Sequence, residues 1–95
     1  MINAIVLLKV DAHSIPETAE AIAGLDKVSE VYSVAGEWDL VVVVRVKEHE
    51  ELAQVITTKL DKIPGITRST TLIAFQVFSK HDLEAMFSVG FETAG

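Results

Sequence analysis

The hydrophobic positions of this chain follow two rhythms. From Ala4 to Val10 (AIVLLKV) the run is apolar at odd and even places alike, at a length and with a Val and Ile content that suit a strand buried on both faces. Ser14-Ile15-Pro16-Glu17 then reads as a helix start, with Ser14 as cap, Glu17 as capping-box partner and Pro16 in the first turn. The helix runs to about Leu25, with a narrow apolar stripe of Ile15, Ala19 and Ile22. Val28 to Val34 and Leu40 to Val46 return to strand character, and Gly36-Glu37-Trp38-Asp39 between them predicts a tight polar turn. From His49 to Leu60 the helical period returns, placing Leu52, Val55, Ile56 and Leu60 inside and Glu48, Glu50, Glu51, Lys59 and Asp61 outside. Pro64-Gly65 stops that helix. Ile66 to Ser79 reads as a long last strand, with Thr71, Ile73, Phe75 and Val77 on one face and Leu72, Ala74 and Phe78 on the other. Ser79 and Asp82 give a weaker capping signal for a short tail helix, His81 to about Phe87.

The order β-α-β-β-α-β, joined by right-handed crossovers, predicts an α+β, ferredoxin-like plait: a four-stranded antiparallel sheet with two helices on one face and a short C-terminal helix. Residues 1–79 form the expected folded domain and 80–95 a tail.

Composition changes this picture in one respect. A chain of 95 residues that is 49% hydrophobic, with a mean hydropathy of +0.37, carries more apolar surface than a core of that size hides. Its longest apolar run, Leu40 to Val44, is too short to span a bilayer, so association is expected. Both helices would cover the same sheet face, leaving the other open. A second copy burying ~800 Å² per partner, ~60% of it apolar, would gain about 24 kcal/mol gross at ~25 cal/mol/Å², above the ~4–15 kcal/mol cost of association. A face-to-face homodimer is expected, unless the tail helix covers that face instead.

Fourteen acids against eight scattered bases, a net charge of −6, argue against direct nucleic-acid binding. The absence of cysteine excludes disulfides, thiolate nucleophiles and cysteine-based zinc sites. The start, Met1 to Ala4, lacks a basic leader, and the expected location is the cytoplasm.

No spacing assembles a catalytic centre. His13, His49 and His81 form no metal-binding pair, the serines include no G-x-S-x-G elbow, and Gly24, Gly36 and Gly65 form no phosphate loop, so neither metal nor cofactor is expected. The turn is the exception, because it sets the only Trp between two carboxylates, which turn geometry does not require. Asp39 as a turn cap and Trp38 as a cover for the sheet edge would serve structure alone. Alternatively, the turn N–H groups would bind a carboxylate, Asp39 or a nearby carbonyl an ammonium, and Trp38 would form an apolar wall, a set suited to a free amino acid. Ser69, Thr70 and Thr71 are ordinary strand residues or hydroxyls beside such a pocket.

The element order, Val31-Tyr32-Ser33-Val34 before Gly36-Glu37-Trp38-Asp39-Leu40, and Ile63-Pro64-Gly65-Ile66 leading to Ser69-Thr70-Thr71-Leu72-Ile73 resemble the effector-binding (RAM) domain of Lrp/AsnC transcriptional regulators. The resemblance covers about Ala4 to Ser79. It implies a small-molecule pocket between dimers, built from the G-x-x-D turn and a T-x-T segment and usually taking an amino acid. Those positions fall on Gly36, Asp39, Ser69 and Thr71, with Glu37 and Trp38 inside the turn. Ser69 stands where Thr is commoner, and Trp38 and Leu40 stand where Tyr is common beside the Asp. It also implies dimers assembling into octamers or rings, with the tips at dimer–dimer contacts. Full-length members carry an N-terminal helix-turn-helix, whereas this chain starts at the first strand, so a stand-alone module that mixes with full-length regulators or buffers the effector is expected. Two rivals share the topology. A small dimeric α/β-barrel monooxygenase or isomerase would need a polar cavity within each protomer, and an ACT-like amino-acid domain would bind near a Gly-rich first loop, which Asp11-Ala12-His13-Ser14 is not.

Overall fold

The computed structural model describes residues 1–78. Its elements are β1 (Ile2–Val10), α1 (Ile15–Ala23), β2 (Val28–Ser33), β3 (Leu40–Val46), α2 (His49–Gln54) with a wider π-helical continuation over Val55–Leu60, and β4 (Ile66–Ala74). The sheet is antiparallel throughout in the order β2-β3-β1-β4, the ferredoxin-like plait. The two strands with the most continuous apolar runs occupy its centre, where both neighbours complete their hydrogen bonds.

Direct register partners share a face. Ala4, Val6 and Leu8 pair with Val44, Val42 and Leu40, and all are buried beneath the helices. Ile22 from α1, Leu52 from α2, and Val55 and Leu60 beyond it close this core. Ile5 and Leu7 pair with Val43 and Val41 on the other face, where Tyr32 and Leu72 extend the band. Among these Ile5 is 37% exposed, Tyr32 49% and Leu72 49%. Among the described residues, therefore, no element covers this apolar sheet face.

Several boundaries differ from the sequence expectation. Ser14 makes no side-chain cap, and α1 ends at Ala23 with Gly24 next to it. Thr18, outside the apolar stripe, is buried and donates from Oγ1 to the Pro64 carbonyl at 3.4 Å. The second helix stops being α-helical after Gln54, where the hydroxyls of Thr57 and Thr58 bond back to the carbonyls of Ala53 and Gln54. Such back-bonding competes for helix carbonyls, and it coincides with the widened turn. β4 ends at Ala74 rather than Ser79, and Phe75 is fully exposed. Its parity places Thr71 and Ile73 on the helix side, as grouped, but Phe75 and Val77 lie beyond the strand. The expected tail helix, His81 to Phe87, lies outside the described residues. Among the described residues no helix is long and apolar enough to cross a membrane.

Candidate functional site

The β2–β3 connection is a wider loop than the tight turn expected from Gly36, because it spans everything from Val34 to Asp39. Its base closes where the Val34 N–H donates to the Asp39 carbonyl at 3.0 Å. Gly36 adopts φ +140°, with no atom within 4 Å of where a Cβ would lie. The reason for the width is Asp39, which is drawn sideways onto β1. Its N–H donates to the Leu8 carbonyl at 2.9 Å, and its Oδ2 accepts the Val10 N–H at 2.9 Å. β1 pairs with β3 only as far as Leu8 and Leu40, so the Val10 N–H lies past the end of that ladder and the carboxylate takes the place of a strand acceptor. Asp39 thus holds the loop against the central strand, and among the described residues its second oxygen accepts no hydrogen bond.

From that anchor the loop crosses the end of β1 and reaches β4. The Arg68 guanidinium carbon lies 5.3 Å from the Trp38 ring centroid, a cation–π contact between an exposed Arg and a half-buried indole. Arg68 is the register partner of Lys9, so the two cations stand side by side on the open face. The Thr67 hydroxyl ties the same segment to the Lys9 carbonyl at 3.1 Å. Gly36 and Glu37 are exposed at the tip, and among the described residues the N–H groups of Gly36, Glu37 and Trp38 donate to no protein acceptor.

Ser69 and Thr71 are placed differently. As partners of Leu8 and Val6 they lie on the helix side of the sheet. The helices pack over β2 and β3, leaving Ser69 exposed and Thr71 half-buried on the uncovered edge strand. Two strand spacings separate Ser69 from Leu40, roughly 10 Å, and Thr71 is one further residue pair along the ladder. Gly36, Glu37, Trp38 and Asp39 therefore form one locus at the end of the sheet. Ser69 flanks it from the opposite face, and Thr71 sits farther away. Sequence reasoning missed Lys9 and Arg68. The signal was present, since each is a cation interrupting an otherwise uncharged strand, but only the register puts them together and only the loop brings Trp38 over one of them.

A concavity of about 250 Å³ lies apart from the tip, just past Val10, and is lined by Asp11, Ser14, Glu17, Thr18, Ile63 and Gly65 among others. The Asp11 N–H donates to the Gly65 carbonyl at 2.8 Å, and Gly65 at φ +99° would place a Cβ 2.9 Å from Thr18 Oγ1. The close approach that a Gly-rich first loop would provide comes here from the turn before β4.

The sequence matches the Lrp/AsnC ligand binding domain over residues 3–83. The chain belongs to that family. It is 39% identical over 76 residues to the uncharacterized HTH-type transcriptional regulator PF0250 of Pyrococcus furiosus, an alignment covering 77% of this chain and 51% of the regulator. It superposes on TTHA0845 of Thermus thermophilus with a TM-score of 0.79 and 42% identity, over 84% of this chain and all of the other. FFRP-DM1 gives a TM-score of 0.75 and 36% identity, covering 79% of this chain and 100% of that one. The chain spans about half the length, or less, of the curated regulators it matches, whereas these two solved proteins are covered whole.

Proposed function

We propose that this Lrp/AsnC domain is a non-enzymatic, amino-acid-binding regulatory module that works as a homo-oligomer. The observation that carries the reading is the loop from Val34 to Asp39, which an Asp39 carboxylate fastens to β1 at 2.9 Å so that its unpartnered N–H groups and Trp38 are held at one end of the sheet. N–H groups in a fixed loop suit a carboxylate, the remaining Asp39 oxygen suits an ammonium, and the indole offers an apolar wall. Ser69, and Thr71 behind it, would contribute from the uncovered edge of β4. The binding unit is residues 1–79, with 80–95 as an appendage.

The open face of Ile5, Leu7, Val41, Val43 and Leu72 supports a face-to-face homodimer. Dimers would assemble further into an even-numbered ring or octamer, with tips meeting between dimers and a ligand bound there biasing the assembly. The module would act in the cytoplasm on full-length regulators of its own family, without touching nucleic acid. An ACT-like reading is favoured by a different observation, the concavity beside Asp11 and Gly65. It predicts that Ser14 and Glu17 variants, rather than tip variants, lose ligand.

Native mass spectrometry or sedimentation velocity, with and without a pool of free amino acids, tests the proposal. It predicts an even-numbered assembly above the dimer whose size distribution shifts with one amino acid. A monomer indifferent to every amino acid would overturn it.

A further inference from the structure

We infer that Arg68, laid over Trp38 and paired with Lys9, is the carboxylate-recognising element of the tip site, so that the ligand class is a small acid carrying its charge at the end of β1. The inference rests on the tip being the binding site. It begins with a charge pair that the fold alone does not call for. Lys9 and Arg68 are direct register partners on the open face, and like charges placed opposite one another on a sheet repel. The chain has fourteen acids to eight bases, so acids to neutralise them are plentiful. Yet among the described residues the ion pair present is Lys27–Glu51, at 3.6 Å, and no carboxylate oxygen lies within 4 Å of the Lys9 ammonium or the Arg68 guanidinium. Asp39, one residue beyond the Leu8–Leu40 pair and so the acid nearest Lys9 along the register, spends its Oδ2 on the Val10 N–H.

The indole explains what the pair can do. A guanidinium carbon 5.3 Å from the indole centroid is held beside the ring by a cation–π contact, and its N–H groups, which form no ion pair among the described residues, can act as a fork for two carboxylate oxygens. Lys9 adds a second cation without geometric demand. The free oxygen of Asp39 and the exposed Glu37 carboxylate then supply negative charge on the loop side. A zwitterion laid across the end of β1 meets cations at its carboxylate and anions at its ammonium. The same carboxylate chemistry could be met by an acid of a second copy docked on the open face, and the experiment separates the two sources.

Trp38 is the chain's only tryptophan, so its emission reports on this site without labelling. The wild-type protein is titrated at constant ionic strength with the L-amino acids, with their 2-oxo acids, which lack the ammonium, and with their decarboxylated amines. The titrations are repeated on R68Q, R68K and K9Q, with sedimentation velocity on each. The expected result is that an amino acid shifts Trp38 emission and its amine does not. R68Q should weaken that binding about 10-fold or more, R68K and K9Q less, with assembly unchanged. Equal binding by R68Q, or an amine binding as well as its parent amino acid, overturns the inference and leaves the proposed function standing. A 2-oxo acid binding through Arg68 while no amino acid binds upholds the inference and overturns the amino-acid reading. R68Q that dissociates the assembly with ligand affinity intact assigns the cations to a second copy and overturns the inference. Silence from every compound overturns both.

Discussion

The carboxylate of Asp39 accepts the backbone N–H of Val10 at 2.9 Å, joining positions 29 residues apart in the chain. The bond makes the G-x-x-D turn part of the sheet rather than an appendage to it, because the carboxylate supplies an acceptor to β1 just past the last β1–β3 pair, Leu8 and Leu40. Asp39→Ala leaves the Val10 N–H without its acceptor and should cost about 1.5–3 kcal/mol. Asp39→Asn can still offer an amide oxygen and should cost roughly half as much. Urea unfolding of the two variants checks this. Equal stability of Asp39→Ala and wild type would remove the structural role and leave binding as the reason for an acid here. Loss of ligand in Asp39→Ala alone therefore does not separate a ligand contact from a loosened loop, which is why the Arg68 variants are the better probes of binding.

Two glycines with positive φ separate backbone strain from crowding. Gly36, at φ +140°, has open space around it, so Gly36→Ala should cost about 1–2 kcal/mol from the backbone alone. Gly65, at φ +99°, would bring a Cβ to 2.9 Å from Thr18 Oγ1 and 3.3 Å from Ser14 Cβ, and Gly65→Ala should cost about 2–4 kcal/mol. In a Thr18→Ala background the nearest of those atoms is gone, and the penalty should fall by about 1 kcal/mol. A double-mutant cycle followed by chemical denaturation measures it, and strict additivity would show that the crowding is relieved elsewhere.

The strands and their order were legible because β1 and β3 are apolar on both faces and so had to be central, and Pro64-Gly65 marked where the second helix stopped. What escaped the sequence depends on register. Ser69 and Thr71 were joined to the turn by the family resemblance, and pairing with Leu8 and Val6 turns them to the face opposite Arg68. Arg68 went unremarked in the sequence because only the loop, held by Asp39 reaching Val10, brings Trp38 over it. The burial of Thr18 was hidden for a similar reason. A hydroxyl breaks an apolar stripe, and its partner, the Pro64 carbonyl, lies 46 residues away.

Tyr32 offers a titration with a single chromophore, since it is the only tyrosine in the chain. Its hydroxyl donates to the Glu30 carboxylate, and that hydrogen bond, with the nearby negative charge, raises its pKa above the ordinary value of 10.0. The folded chain holds the phenolic proton more tightly than the unfolded one, so the contact's contribution is complete below pH ~10 and is lost as pH climbs through the raised value. Phenolate absorbance should therefore appear later in folded than in denatured protein. Glu30→Gln should bring the midpoint down, and an unchanged midpoint would show that the two groups do not meet in solution.

Adjacent residues of β1 should respond oppositely to the same substitution. Val6 is 1% exposed beneath the helices, and an Asp there would be a buried charge without a partner. Its cost, on the order of 3–5 kcal/mol, is comparable with the whole stability of a small domain, so Val6→Asp should unfold. Ile5, one residue away, is 37% exposed on the open face, and Ile5→Asp should leave the monomer within about 1 kcal/mol of wild type. If a second copy covers that face, however, the same carboxylate would be buried in the interface. Sedimentation velocity should then show Ile5→Asp as a folded monomer with native circular dichroism. An Ile5→Asp protein that keeps the wild-type assembly would mean that the copies meet elsewhere, and that the apolar band from Tyr32 through Val41 and Leu7 to Leu72 has another cover.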